Sequence, residues 1–264
     1  MRVAILCSLA LGCLCNVARA QTLSNATDPM GTRVALDVGM GAALRSGNAT
    51  TYEAQLGGLL RLAPSRQDHR LAVRYAYAQS QGERYENALG ADLQLRRDVW
   101  GERLGLLAVA QYDRSEQRRR LHLLQSGAGL YVRAVRRAEA LLWEFSAAYL
   151  FEFEKFAEAY REGQPGTPVR DSLYEVNAHR VQLTMDIGWR PGERFSLGWS
   201  NRAQVPLSHC ACDTRVLTSL FLRTVVHRRL SVETQFAVRH DPRPARRVQP
   251  MDALLRTGLV LTLR

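Results

Sequence analysis

Residues 141–154 alternate between apolar and polar side chains over a greater length than most strands of soluble proteins have. The odd positions read Leu, Trp, Phe, Ala, Tyr, Phe and Phe, whereas the even positions include Glu144, Ser146, Glu152 and Glu154. Because successive side chains of a strand point to opposite faces, this pattern predicts a long strand with an aromatic face and a largely acidic face. A membrane β-barrel accommodates both faces, since the aromatic side chains contact lipid while the acids face the lumen.

The same alternation recurs along the rest of the chain in about twelve segments, and bacterial single-chain barrels have an even number of strands. The sequence therefore predicts an all-β fold, a transmembrane antiparallel up-and-down β-barrel of about 12 strands. The predicted strands span residues 32–44, 52–62, 70–79, 85–97, 104–113, 124–136, 141–154, 175–189, 194–205, 215–226, 230–239 and 253–264.

The connections between these segments alternate in length. The connections at 63–67 and 227–229 are short, whereas those at 155–174, 206–213 and 240–250 are longer. Short periplasmic turns and longer outer loops are typical of a barrel with both termini in the periplasm. The alternative is a soluble β-sandwich, but the strands of a sandwich usually have only about 5–6 residues.

The first residues have the features of a secretory signal peptide. Arg2 precedes an apolar stretch, and Ala18-Arg19-Ala20 has the small-x-small form of a cleavage site, which predicts a signal peptide at 1–20 and a mature chain from Gln21. Lipoprotein processing at Cys13 is the alternative. We interpret residues 21–31 as a flexible lead-in to a barrel over residues 32–264, which would be exported to the outer membrane of a bacterial cell.

The formal net charge is +11, and Lys155 is the only lysine among many arginines. The guanidinium group of arginine binds phosphates and carboxylates in a forked geometry. An exported protein is not expected to bind nucleic acid, so outer-membrane lipid, lipopolysaccharide and anionic solutes are the expected partners. A GC-rich genome would also explain much of the preference for arginine over lysine.

The predicted inward faces collect charges of both signs. Two interpretations stay open: arginine–carboxylate pairs that brace neighbouring strands, and a narrow channel in which arginines lower the barrier to anions. Pairing is favoured because buried charges are normally paired. The predicted lumen charges are Arg70, Arg74, Arg96, Arg133, Arg180, Arg202, Arg223, Arg239 and Arg256, with Glu53, Asp92, Asp113, Glu144, Glu152, Asp186 and Glu233.

Three consecutive arginines, Arg118, Arg119 and Arg120, lie in a predicted outer loop. Several arginines together can hold the phosphates of lipopolysaccharide, so we interpret them as a lipopolysaccharide contact. A solvated, charged loop is an equally good interpretation.

Several short motifs resemble one family. They are Arg45-Ser46-Gly47-Asn48, Tyr85-Glu86-Asn87, Arg96-Arg97-Asp98, Ala110-Gln111-Tyr112-Asp113-Arg114 and Gly127-Ala128-Gly129-Leu130-Tyr131. Over residues 32–153 the chain resembles the salt-induced outer-membrane protein family, a YdiY-like domain of unknown function. The resemblance implies an outer-membrane β-barrel, and it supplies no assigned activity and no catalytic residues. We interpret the chain as a structural or stress-related protein of the envelope, which the barrel-assembly machinery would insert. The chain ends in Arg264, whereas such barrels usually end in an aromatic residue.

The alternative from another functional class is an outer-membrane enzyme that modifies lipid or lipopolysaccharide. It would need a serine–histidine pair reachable from lipid, but His179 is predicted to face outward without a serine beside it. The sequence contains no Gly-x-Ser-x-Gly and no His-Glu-x-x-His motif, so we expect neither catalysis nor a cofactor. The predicted inward-facing serines are Ser146, Ser196, Ser200, Ser219 and Ser231.

Cys210 and Cys212 lie in one exported loop, where oxidation to a disulfide is expected. A metal site that includes His209 and Asp213 is the alternative, although the one-residue spacing of the cysteines is shorter than zinc sites usually have. We expect neither cysteine to react when free thiols are counted in the purified, unreduced mature protein. Two free thiols, with unchanged migration after reduction, would contradict the disulfide.

Overall fold

The computed structural model describes residues 34–46, 51–63, 67–80, 83–101, 103–115, 120–137, 141–156, 174–192, 194–207, 213–242 and 250–263. The predicted signal peptide and lead-in, and the cysteines Cys210 and Cys212, lie outside these ranges. Among the described residues, no helix is long and apolar enough to cross a membrane.

Twelve antiparallel strands form a closed barrel in which each strand pairs with its sequence neighbours, and the first strand pairs with the last. This confirms the predicted fold and strand number. The strands are β1 (Val34–Ser46), β2 (Thr51–Leu62), β3 (Gln67–Ser80), β4 (Glu83–Trp100), β5 (Leu104–Ser115), β6 (Arg120–Arg137), β7 (Leu141–Phe156), β8 (Tyr174–Gly192), β9 (Phe195–Pro206), β10 (Arg215–His227), β11 (Leu230–His240) and β12 (Met251–Leu263).

The outward face of the barrel is apolar. On β7, Trp143, Phe145 and Tyr149 are each about two-fifths exposed or more. Aromatic rings also meet between neighbouring outward positions near the ends that carry the short turns, as between Trp143 and Phe145, whose centroids are 5.4 Å apart. Because a soluble protein rarely exposes so large a contiguous apolar surface, this face is suited to lipid, as in other transmembrane barrels.

The inward face is largely polar, although small apolar clusters interrupt it. On β7, Glu144, Glu152 and Glu154 are buried, which agrees with the alternation in the sequence. One buried apolar cluster includes Tyr131, Leu150 and their neighbours on β5, and another joins β2, β3 and β12. Side chains therefore occupy much of the lumen.

Gly198 and Gly105 face inward and make room for large aromatic side chains of the adjacent strand. A Cβ on Gly198 would lie 1.9 Å from the ring of Phe221, and a Cβ on Gly105 would lie 2.3 Å from the ring of Tyr131. Phe221 is itself 1% exposed, and it occupies an inward position on β10. An aromatic residue at an inward position interrupts the alternation of apolar and polar residues in 215–226, which is therefore less regular than in the other predicted strands.

The Gly198–Phe221 contact generates a stability prediction. Gly198→Ala should lower the free energy of unfolding by about 1–3 kcal/mol, because the new methyl group must displace a packed ring. The measurement is the temperature at which the compact form is lost in gels of unheated and heated protein. Gly192→Ala is the matched control, since a Cβ there has nothing within 4 Å. Equal effects of the two changes would contradict this account of the packing.

Candidate functional site

The strongest feature of the lumen is a cluster of carboxylates and arginines in the half nearer the long connection between β7 and β8. We call this the outer half and the opposite one the periplasmic half, because long loops are predicted to lie outside. Glu152 and Glu154, neighbouring inward positions on β7, both have a relative exposure of 0%. Arg215 Nη1 lies 3.0 Å from Glu152 Oε2, and Arg215 Nη2 lies 2.8 Å from Glu154 Oε2. β8 and β9 separate β7 from β10 in the barrel wall, so these bonds pass through the lumen and do not join adjacent strands.

Each of the two glutamates also binds a second arginine. Arg120 donates from Nε to Glu154 Oε1 at 2.5 Å, and Arg180 donates from Nε to Glu152 Oε1 at 3.2 Å. Arg180 further donates from Nη2 to Asp213 Oδ2 at 3.3 Å. Every carboxylate of this cluster is therefore compensated by at least one guanidinium group, as burial requires.

Asp241 extends this cluster to the far side of the barrel. It follows the end of β11, and its Oδ2 lies 3.4 Å from Arg215 Nε and 3.9 Å from Arg120 Nη2. Since β6 and β11 lie nearly opposite each other in the twelve-stranded wall, the Arg120–Asp241 contact bridges most of the lumen. We call the set Glu152, Glu154, Arg120, Arg180, Arg215, Asp213 and Asp241 the outer ion-pair cluster.

A second group of charges occupies the periplasmic half. Arg96 donates from Nη1 to Glu144 Oε1 at 2.6 Å, and Arg133 donates from Nε to Glu144 Oε2 at 3.2 Å. Arg133 also contacts Asp98 at 3.1 Å, and Asp98 accepts a hydrogen bond from the Tyr131 hydroxyl. The ring of Tyr131 lies within 5.4 Å of both guanidinium carbons, a geometry that permits cation–π attraction.

Glutamines link the outer cluster to the neighbouring strands. Gln125 on β6 donates to Glu152 at 2.5 Å and exchanges hydrogen bonds with Gln204 on β9, which in turn donates to Gln182 on β8 at 3.0 Å. These amides supply both donors and acceptors. They connect β6, β7, β8 and β9 through the lumen as well as through the sheet.

Two small cavities lined by described residues lie beside the charged clusters in the outer half. One has a volume of about 60 Å³ and is bounded by β3, β4 and β5 on one side and by β10, β11 and β12 on the other. The second, of about 40 Å³, shares Arg74, Asp113 and Arg239 with the first. At about 10–15 Å³ for each water molecule, the two cavities hold only a few waters each.

Comparison with known proteins identifies the family. The model of the family described as "Protein of unknown function, DUF481" matches residues 38–263. The chain belongs to the DUF481 family. Its members are bacterial outer-membrane β-barrel proteins, so the predicted kind of family is confirmed. The finer prediction, a salt-induced YdiY-like protein, stays a prediction.

Solved structures share the fold of this DUF481 barrel. The NanC porin matches with a TM-score of 0.56 at 10% sequence identity, covering 87% of this chain and 100% of the NanC chain. The translocator domain of the autotransporter NalP from Neisseria meningitidis matches with a TM-score of 0.54 at 11% identity, covering 92% of this chain and 93% of that chain. A comparison with curated proteins finds no match. At these identities the likeness extends to the fold alone.

The structure of the DUF481 chain places the predicted lumen charges on buried or half-buried inward positions. The side chain of Glu53 lies outside the described residues. The inward positions are those of Arg70, Arg74, Arg96, Arg133, Arg180, Arg202, Arg223, Arg239, Arg256, Asp92, Asp113, Glu144, Glu152, Asp186 and Glu233.

The prediction for Arg120 was wrong. Arg120 is not in an outer loop that contacts lipopolysaccharide; it begins β6, is 4% exposed and pairs with Glu154 inside the barrel. The physical reason is a β-bulge between Arg120 and His122, which shifts the alternation so that Arg120 points inward. Arg118 and Arg119 lie outside the described residues.

The loop that carries the predicted disulfide is represented in the structure only by Asp213 and its neighbours. Asp213, a ligand in the alternative metal site, is 1% exposed and is paired with Arg180. Among the residues described, no group of His, Cys, Asp and Glu side chains has the arrangement of a metal site.

Sequence reasoning also missed Arg215, Asp98, Asp68 and Asp241. Arg215 and Asp98 each lie an even number of residues from inward-facing residues of the same strand. The alternation of the sequence could therefore have predicted that both side chains face inward. Asp68 precedes the predicted start of its strand, where it binds Arg70 and lies 3.0 Å from Arg61. Asp241 is in phase with the inward residues Ala237 and Arg239, but it follows the last residue of β11, outside the segment in which we predicted a strand.

The central place of Arg215 in the outer ion-pair cluster generates a second stability prediction. Arg215→Met should lower the free energy of unfolding by about 3–5 kcal/mol, because Glu152 and Glu154 each lose a compensating charge in a buried site. Urea titration of the refolded barrel, followed by loss of the compact gel band, measures the change.

Arg229→Met is the control for this measurement, since Arg229 is exposed in the turn between β10 and β11. Its effect should stay within about 0.5 kcal/mol. If Arg215→Met were as mild as the control, the cluster would not contribute to stability as we describe.

Proposed function

We propose that this protein is an outer-membrane β-barrel with a structural, stress-related role in the envelope, and that its lumen is closed to hydrated solutes. The observation that carries the proposal is the pair of Arg215 bonds to Glu152 and Glu154, which cross the lumen. A solute wider than a few water molecules would have to break these bonds and leave charges unpaired in a confined space.

The balance of charges supports closure rather than ion selection. Arg96 and Arg133 form ion pairs with Glu144, and Arg180 and Arg215 form ion pairs with Glu152. The described part of the lumen therefore contains both arginines and carboxylates in its periplasmic half and in its outer half. A pore selects ions through an excess of one sign along its path. Mutual pairing removes most of that excess, so the charges act mainly on one another.

Burial of the ion pairs fits a role under osmotic or salt stress. Salt screens exposed charges over a Debye length of about 10 Å at 0.1 M, but it screens buried pairs much less. The Arg120–Glu154 pair, with exposures of 3% and 0% for the two side chains, is shielded from bulk ions by the barrel wall. A barrel braced in this way should keep its stability when the ionic strength of the medium changes.

A narrow, anion-tolerant channel is the second candidate, and the cavities favour it. The cavity of about 40 Å³ is lined by Arg74, Arg202, Arg215 and Arg239 but by only two carboxylates. Small anions would meet a local excess of positive charge there. The channel requires the outer ion-pair cluster to rearrange, because Arg215 contributes to both the cavity and the cluster.

We infer no catalytic role. Ser219 and Ser231 are buried at inward positions, whereas His179 lies on the outward face and its Nδ1 forms a hydrogen bond with the Tyr149 hydroxyl. This separation argues against a pair between His179 and either of these two serines at the lipid surface. We further propose export by a signal peptide cleaved before Gln21, residence in the outer membrane and insertion by the barrel-assembly machinery.

Conductance across a planar bilayer tests the proposal. The wild-type barrel should give no discrete current steps. Glu152→Gln/Glu154→Gln should give discrete, anion-selective steps, because Arg120, Arg180 and Arg215 lose their glutamate partners and the cluster gains two net positive charges along the lumen.

Thr234→Val/Thr257→Val provides a control with the same number of substitutions, since these two threonines contact each other on the outward face. It should remain silent, and the heat-modifiable gel band verifies that each variant is folded. Discrete steps from the wild type would overturn closure and favour the channel, while a silent double glutamine variant would contradict the role of the cluster in closure.

A further inference from the structure

Basic side chains interrupt the apolar outward face in one sector, near the outer ends of β5, β6 and β7. Arg114 on β5, His122 on β6 and Lys155 on β7 occupy outward positions there, and Arg114 and His122 are exposed. We call these three residues the basic row. Lys155 is the only lysine of the chain.

The strand register places the three side chains next to one another. His122 pairs directly with Lys155. Asp113 pairs with Leu123 and Ser115 pairs with Arg120, so Arg114 lies beside the bulge that precedes His122. Neighbouring strands are about 4.8 Å apart, and the long side chains of Arg114 and Lys155 can therefore converge on a single anionic group above His122.

Hydrogen bonding prepares His122 as a donor. The Tyr112 hydroxyl and His122 Nδ1 are 3.0 Å apart. When the hydroxyl donates to Nδ1, the neutral ring carries its proton on Nε2, which can donate to an oxygen of a ligand. Tyr112 also brings an aromatic ring to the row, as expected at the level of the lipid headgroups.

The other described outer ends do not group basic side chains in this way. The outward positions nearest the outer ends of β9, β10 and β12 are Val205, Val216 and Met251, and β11 ends in a single His240 between two apolar neighbours. Apolar side chains at these positions suit acyl chains, whereas a basic row needs an anionic partner. The long connection between Phe156 and Tyr174 marks this end of the barrel as the outer one.

We propose that the basic row binds the phosphate groups of lipopolysaccharide in the outer leaflet. Arg114 and Lys155 neutralise the phosphate charge, His122 donates one hydrogen bond, and the apolar faces of β5, β6 and β7 contact the acyl chains below. This site differs from the sequence-predicted arginines, of which Arg120 is inside the lumen. It is also independent of whether the lumen conducts.

Glu175 on β8 regulates access to the site. Its Oε1 lies 2.8 Å from Lys155 Nζ, and its side chain is 51% exposed. A carboxylate at this distance competes with a phosphate for the same ammonium group. Removal of the Glu175 charge should therefore strengthen phosphate binding, whereas removal of Lys155 should weaken it.

Titration of the folded, full-length mature protein in neutral detergent with bisphosphorylated lipid A tests the site. Arg114→Ala/Lys155→Ala should weaken binding about five- to tenfold, the range expected for the loss of two exposed charge-assisted contacts. Glu175→Gln should tighten binding about twofold. Dephosphorylated lipid A should bind the wild type and the double alanine variant equally.

Arg228→Ala/Arg229→Ala is the matched control, because it removes the same charge from an exposed turn at the periplasmic end. This variant should bind lipid A as the wild type does. The proposal is overturned if the control weakens binding as much as Arg114→Ala/Lys155→Ala does, if Glu175→Gln weakens binding, or if the phosphates of lipid A make no difference.

Discussion

The pairing of buried charges inside the barrel is the constraint on which the rest of the structure depends. Glu152 and Glu154 are fully enclosed, and an unpaired carboxylate in such a place would cost several kcal/mol. Arg120, Arg180 and Arg215 compensate them from β6, β8 and β10. These contacts join β7 to β6, β8 and β10, and so they link parts of the wall that are not adjacent in the sheet as well as parts that are.

The apolar side chains of this barrel face outward and the polar side chains face inward, which is the reverse of the arrangement in a soluble protein. The stability of the wall depends on both surfaces. Lipid-facing residues such as Phe145 and Tyr149 contribute little attraction between strands, because lipid tails are as apolar as the side chains. Cohesion within the barrel wall then comes from the backbone ladder and the polar interior. The ion pairs and the Gln125–Gln204 hydrogen bonds supply contacts that a soluble protein would obtain from an apolar core.

The alternation of residues was sufficient to predict the barrel, the strand number and the inward face of each strand, because the period of two is a direct consequence of strand geometry. It failed where the geometry departs from a regular strand. The bulge before His122 reversed the phase at Arg120, and the end of a strand hid the role of Asp241. Contacts such as Arg215–Glu152 were beyond prediction, because the stagger of all the intervening strands determines which inward residues meet across a lumen.

The position of the cavities follows from the unequal size of the inward side chains. The outer ion-pair cluster draws large residues from β6, β7, β8 and β10 into one part of the lumen. Near their outer ends, the inner faces of β3 and β4 instead carry the small residues Ala76 and Ala88. Small side chains on one wall and long arginines on the other leave a gap between them, and this gap is where Arg74 and Arg239 border open space. The residues that fill the lumen along β7 therefore also leave the cavity of about 60 Å³ on the other side, between β3, β4 and β5 and the facing strands β10, β11 and β12.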